Sequence, residues 1–239
     1  EETLAHSIAY HPFQEKRWGN YTKRMKEYVD DFKENFPSIL ELPKRLEKKR
    51  SADPPELTTV VDVAGFALGS DINADQTINV VLQRGAEMKY EPLENPQHSR
   101  YIVAGDIAEP EKQQELLDTI DAKADGAVDC IFLRPGAAFS PKDKIRSENP
   151  YAGEQLMFLI LRLTKKLKPD GEMYIRIDKA YNPDWCERLP VLLQSFSETD
   201  VNGVLKRKIR NGMYVEYKTP HLIRDKDAFS QLYVRITRQ

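Results

Sequence analysis

From about residue 58 onward, short apolar runs alternate with longer stretches whose apolar positions follow a helical period. The runs at 58–63, 78–82, 101–104, 128–133 and 173–177 are predicted strands. The stretches 110–122, 155–167 and 189–196 are predicted helices, the second closed by Lys168-Pro169-Asp170-Gly171. Three further strands are predicted at 204–209, 213–218 and 231–236, the first two joined around Asn211-Gly212, a strong hairpin signal. Alternating strands and helices imply an α/β fold: a mostly parallel sheet with helices on both faces. The closing hairpin implies an antiparallel edge.

Before residue 51 the pattern differs. Apolar residues recur at Tyr21, Met25, Tyr28, Val29, Phe32 and Phe36 at near-helical spacing. Residues 1–50 are therefore expected to form a helical N-terminal extension, and 51–239 the main domain. Residues 51–56, with Pro54-Pro55, read as the linker. The run 43–50 is strongly basic and reads as a solvated helix end or linker, with a phosphate-contacting patch as the alternative.

Composition narrows the classes. The 239 residues are 40% hydrophobic and 31% charged, ordinary for a globular domain, and the net charge is −2. No global positive field favours nucleic acid, so such a site must be a local patch. Cys130 and Cys186 form neither a metal motif nor a disulfide framework, and the four histidines lack ligand spacing. Cys130, inside an apolar run, reads as a core residue. No apolar run is long enough to span a membrane. The expectation is an intracellular protein, in cytoplasm or nucleus, without metal.

The loop after the first strand carries the chemistry-bearing pattern. It reads Val60-Val61-Asp62-Val63-Ala64-Gly65-Phe66-Ala67-Leu68-Gly69-Ser70. A buried strand entering a small-residue loop lets backbone approach a nucleotide-like ligand, although tight strand–helix packing selects the same residues. Further on stand Gly105-Asp106-Ile107, the strand 128–133, the Lys168–Gly171 turn and a last strand beginning at Gln231. In this order the pieces resemble the FtsJ-type RNA 2′-O-methyltransferases, over residues 55–239. That resemblance implies a Rossmann-like class I methyltransferase fold. It also implies an S-adenosylmethionine site using Asp62, Gly65, Gly69 and Asp106.

The resemblance further implies a Lys-Asp-Lys-Glu catalytic set, and here the chain departs from it. The aspartate after strand four falls on Arg134, the strand-five lysine on Arg176 and the last-strand glutamate on Gln231. The first lysine has no secure match, with Lys23, Lys26 and Lys33 as candidates and Tyr28 in the best register. Arginine is a poor proton-exchanging group and a good anion fork. Ala64 and Leu68 replace loop glycines, Phe66 adds bulk, and Leu82 or Gln83 stands where a ribose-holding acid is usual. Asp106 also suits a turn cap.

The leading expectation is thus a pseudo-methyltransferase, without cofactor, that binds RNA or serves as a scaffold in a larger assembly. Arg134, Arg176, Lys206, Arg207 and Lys208 are the candidate RNA contacts, with Tyr181 and Trp185 as stacking platforms. The run 206–210 reads first as an edge strand whose charges deter aggregation, with RNA contact as the alternative. One alternative is an active methyltransferase using S-adenosylmethionine at a divergent site. The other is a protein-interaction module.

Overall fold

The computed structural model describes residues 30, 33–63, 74–81, 99–134, 139, 142–143, 147–148, 150–178, 198–199, 205–209, 213–218 and 231–238. Five strands build the parallel half of the sheet: β1 (Thr59–Val63), β2 (Gln76–Val81), β3 (Ser99–Ala104), β4 (Val128–Leu133) and β5 (Leu167–Asp178). Three more follow: β6 (Leu205–Ile209), β7 (Met213–Lys218) and β8 (Gln231–Arg238). The order across the sheet is β3-β2-β1-β4-β5-β8-β7-β6, with a short strand, Glu198–Thr199, outside β6. β1 pairs in parallel with β2 and β4, β2 with β3, and β4 with β5. β8 runs antiparallel to both β5 and β7.

β1 to β3 proceed in one direction and β4 to β5 in the other, so the strand order reverses between β1 and β4. In open α/β sheets the ligand crevice lies outside the strand carboxyl ends at that reversal. This parallel half, closed by an antiparallel β8 and β7, is a Rossmann-like class I methyltransferase fold.

The central strands are apolar almost throughout because both faces are covered. On one face helices α2 (Pro110–Lys123) and α3 (Ala152–Thr164) pack through Leu116, Ile120, Leu156, Leu159 and Leu163 onto Val61, Ile131, Met173 and Ile175. On the other, a 3-10 turn (Pro37–Glu41) and helix α1 (Leu42–Arg50) bring Phe36, Ile39, Leu42 and Leu46 against Val60, Cys130, Phe132, Tyr174 and Tyr233. Pro43 lies in the first turn of α1, where its missing N–H leaves no bond unmade.

The predicted strand 128–133 is observed with the same bounds. The helix predicted at 155–167 is observed three residues earlier, at Ala152–Thr164. The 168–171 segment, expected as a turn, falls within β5 as a bulge: Val128 pairs with Leu167, but Cys130 pairs with Glu172. Gly171 is required there, since a Cβ would stand 2.8 Å from the Lys168 carbonyl oxygen. The helix expected at 189–196 and the first part of the helical stretch expected at 21–39 lie outside the described residues.

Candidate functional site

Alternation along the strands assigns each polar side chain to a face. On the α1 face, β1 presents Val60 and Asp62, β4 presents Cys130, Phe132 and Arg134, and β5 presents Glu172, Tyr174 and Arg176. Asp62 pairs in register with Phe132, and Phe132 with Tyr174. Leu133 pairs with Ile175, so Arg134 and Arg176 take the next position on neighbouring strands. The Arg134 N–H donates to the Val63 carbonyl at 3.2 Å, which extends the β1–β4 ladder to that residue. Arg176 pairs with Tyr233 of β8, and two residues further Asp178 pairs with Gln231.

The carboxyl ends of β1, β4 and β5 therefore bring together Asp62, Arg134 and Arg176 on a single face. Asp62 is 1% exposed and Arg176 7%, while Arg134 is half-buried. Strands 4.7–4.9 Å apart put the roots of two guanidinium side chains about one strand spacing from each other. Rigid strand placement and a planar fork suit such a pair to an anion held by several oxygens.

Beneath them lies an aromatic floor. Phe132 stacks on Tyr174 with centroids 5.5 Å apart, and Phe36 meets Tyr174 and Tyr233 edge-on at 5.1 and 5.7 Å. Ser38 Oγ and the Tyr174 hydroxyl lie 2.9 Å apart. The Tyr174 hydroxyl donates to Glu172 at 2.6 Å. Burial, together with the nearby Cys130 and Glu172, pushes the Tyr174 phenol well above its usual range. Burial likewise pushes the Cys130 thiol up, and Cys130 is fully enclosed, as expected of a core residue.

At the other end of this face the carboxylates are neutralised from two sides. Glu172 accepts from Arg45 of α1 and from Arg235 of β8. Burial alone would raise its carboxyl, but hydrogen bonds from Arg45 and Tyr174 and the Arg235 charge hold it below the usual carboxylate range. Asp129 accepts from Lys49 at 2.7 Å, Lys168 at 3.0 Å and the Thr59 N–H at 2.8 Å. Arg50 approaches Asp75 at 3.9 Å. The basic run 43–50 is thus neither linker nor phosphate patch in the main. Arg45 and Lys49 face carboxylates of the sheet, Arg50 faces Asp75 just before β2, and Lys44 pairs with Glu41 within its own turn.

The other candidates are dispersed. Asp106 follows β3, where its Oδ1 accepts the Ala108 N–H at 3.0 Å and its carbonyl the Glu109 N–H at 2.9 Å, a turn cap. Gly105 has φ +142°, and the Lys112 chain lies where a Cβ would be, so only glycine fits. Lys206, Arg207 and Lys208 lie on β6 opposite Glu216, Val215 and Tyr214. Lys206 also pairs with Glu198, so this part of β6 is not the outermost edge. Gly65, Gly69, Tyr181 and Trp185 lie outside the described residues.

The face holds residues that motif matching passes over: Glu172, Tyr174, Tyr233 and Arg235. Their signal was present as the alternation of Glu172, Tyr174 and Arg176 with Met173, Ile175 and Ile177. Among the described residues no cluster of donors suits a metal ion, and no helix is long and apolar enough to cross a membrane. Leu82 and Gln83, where the resemblance puts a ribose-binding acid, lie outside the described residues. Asp62 is the penultimate residue of β1, and Asp106 follows β3 by two positions.

No family model matches the chain, and no curated relative matches it. Among solved structures, it is similar to an rRNA methylase from Streptococcus thermophilus at TM-score 0.44 and 12% identity, over 84% of this chain and 93% of that one. It is similar at the same score and identity to the N-methyltransferase NodS from Bradyrhizobium japonicum, over 85% and 97%. A short-chain dehydrogenase from Brucella melitensis gives 0.37 and 17%, over 48% and 55%. Scores this low leave the fold resting on strand order, and none assigns an activity.

Proposed function

We propose that this chain is a methyltransferase-fold domain that has given up methyl transfer and holds RNA phosphate at the carboxyl edge of its sheet. One observation carries the reading. Arg134 and Arg176 are neighbours on one face, at the two positions where the resemblance calls for an aspartate and a lysine. Methyl transfer to a ribose hydroxyl needs a group that can shed or take a proton near neutrality, and a guanidinium ion is charged at all such pH values. The same two ions are well made for phosphate oxygens. The β6 cations would widen the contact, and the setting would be intracellular.

Two measurements test this. Calorimetric titration with S-adenosylmethionine is expected to give no heat. Filter binding to a structured RNA is expected to weaken steeply between 50 and 200 mM salt. A micromolar heat signal together with methylated RNA would overturn the reading in favour of an active methyltransferase. That second reading is favoured by Asp62 and Asp106, both buried at strand ends that border the crevice. Absence of RNA binding at both salt concentrations would leave a protein-interaction module.

A further inference from the structure

Strand register carries the arginine pair further across the sheet. Residues opposite one another on neighbouring strands share a face, so the α1 face can be read row by row across β4, β5, β8, β7 and β6. The row of the arginines runs Arg134, Arg176, Tyr233, Lys218. Leu133 pairs with Ile175 one position before the arginines, Arg176 pairs with Tyr233, and Tyr233 with Lys218. β7 thus ends on a third cation in line with the pair. Two strand spacings, about 10 Å, separate Lys218 from Arg176 along the row.

The rows on either side differ in charge. One row toward the amino end holds Asp62, Phe132, Tyr174, Arg235, Glu216, Lys206 and, on the short outer strand, Glu198. Glu216 there stands between Arg235 and Lys206, and Lys206 between Glu216 and Glu198. Opposite charges at facing positions favour each other. The next row holds Glu172, Thr237, Tyr214 and Lys208, and Glu172 is already met by Arg45 and Arg235. On the outer side, Asp178 stands opposite Gln231. Among the described residues the arginine row carries three cations and no acid. Asp62 and Asp178 adjoin it at its β4–β5 half. At its β7 half the adjoining acid is Glu216, which stands between two cations of its own row.

The alternation on β7 and β6 fits this placement. Met213, Val215 and Tyr217 share one face with Leu205 and Ile209, and Tyr214, Glu216 and Lys218 share the other with Lys206 and Lys208. Apolar residues on one face and polar residues on the next are the pattern of a sheet covered on one side only. Arg207 falls on the apolar face, opposite Val215, and so away from the arginine pair. We infer, resting on the RNA reading above, that the RNA strand crosses the sheet along the arginine row, with one phosphate at Arg134 and Arg176 and another at Lys218. Tyr233, 1% exposed and met edge-on by Phe36 at 5.7 Å, fills the step between the two contacts. The guanidinium forks would orient their phosphate, and the compact ammonium of a lysine would add charge without fixing orientation.

The test uses the full chain and filter binding to the structured RNA between about 50 and 200 mM salt. K218A should weaken binding about three- to tenfold at the lower salt and flatten the salt slope by about 0.7–0.9, the value of one phosphate contact. K218R keeps the charge and should restore the slope, which a merely structural role for Lys218 would not predict. K206A with K208A should move affinity and slope less than K218A does, and R207A should leave both unchanged. Wild-type binding and slope in K218A would overturn the inference and leave the arginine pair as the RNA contact. A larger loss from K206A with K208A than from K218A would also overturn it, because the strand would then cross β6 along other rows. A wild-type chain that binds no RNA at either salt would remove the RNA reading and this inference together.

Discussion

The two ends of the α1 face lie on the same strands and carry different charges. At the amino end, the buried carboxylates Glu172 and Asp129 each meet two cations, one from α1 and one from the sheet or its bulge. At the carboxyl end, Arg134 and Arg176 take neighbouring positions at the ends of β4 and β5, on the face that also carries Asp62. The first arrangement neutralises charge within the fold and fastens α1 to it. The second concentrates cations at the place where this architecture receives ligands. Position relative to the strand reversal, more than residue type, separates a structural arginine such as Arg45 from a candidate binding arginine such as Arg176.

The sharpest way to break this contrast is to remove a charge from the amino end. E172Q leaves Arg45 and Arg235 facing a neutral amide on a residue that is 1% exposed. Breaking a buried pair costs about 3–5 kcal/mol, and because both arginines are partly exposed the lower figure applies. A urea melt should therefore show a loss of about 3 kcal/mol. L46A, which empties a fully enclosed contact of α1, should cost about as much, 2–5 kcal/mol. A loss below about 1 kcal/mol in either variant would mean that α1 is not fastened as described.

The same experiment at the carboxyl end should move a different readout. R134A with R176A is expected to lower RNA affinity at 50 mM salt by about 10–30-fold, from two charge-assisted contacts of roughly 1 kcal/mol each. The salt slope should fall by about one to two units, near 0.7 per phosphate for a single strand. R176K keeps the charge and loses the planar fork, so it should recover the slope but only part of the affinity. An unchanged slope in the double alanine variant would place the RNA contact elsewhere, with β6 the next site to probe.

The strands and helices of the main sheet were legible because burial on both faces writes long apolar runs into β1, β4 and β5. The 128–133 run needed no other cue. The 168–171 bulge was not legible. Lys168-Pro169-Asp170-Gly171 is an ordinary helix stop, and only pairing of Leu167 with Val128 draws it into the strand. The neighbourhood of Arg134 and Arg176 was readable from order alone, since they stand toward the carboxyl ends of β4 and β5, which are consecutive and adjacent on one side of the reversal. The amino-end network was not, because its partners are separated by 127 and 80 positions in the chain. A basic run beside Pro54-Pro55 reads as solvated until the sheet beneath it is known.

Acid should act on the amino end first. The Glu172 carboxyl sits below its usual range in the folded chain, so above about pH 4.5 its ionised form contributes its full stabilisation. As pH falls, the unfolded chain takes up a proton that the folded chain resists, and stability drops until the folded carboxyl also protonates. The wild-type stability–pH curve should thus fall below about pH 4.5, and that limb should be shallower in E172Q. Equal slopes would show that other carboxylates dominate acid unfolding and that the Arg45–Glu172–Arg235 cluster adds little.

The smallest effect tests whether paired cations share a carboxylate as the geometry implies. Asp129 keeps Lys168 and the Thr59 N–H when Lys49 is removed, so K49A leaves it with two donors. The Lys49 side chain is a quarter exposed, at 25%, and contributes through a partly screened contact. The expected cost of K49A is about 1 kcal/mol or less, and that of K168A about the same. Removing both cations leaves a buried carboxylate with only one backbone donor, and the loss should then exceed the sum of the single variants by about 1–2 kcal/mol. Additive losses would mean that each lysine acts alone. The amino end would then lack the redundancy that sets it apart from the arginine pair at the carboxyl end.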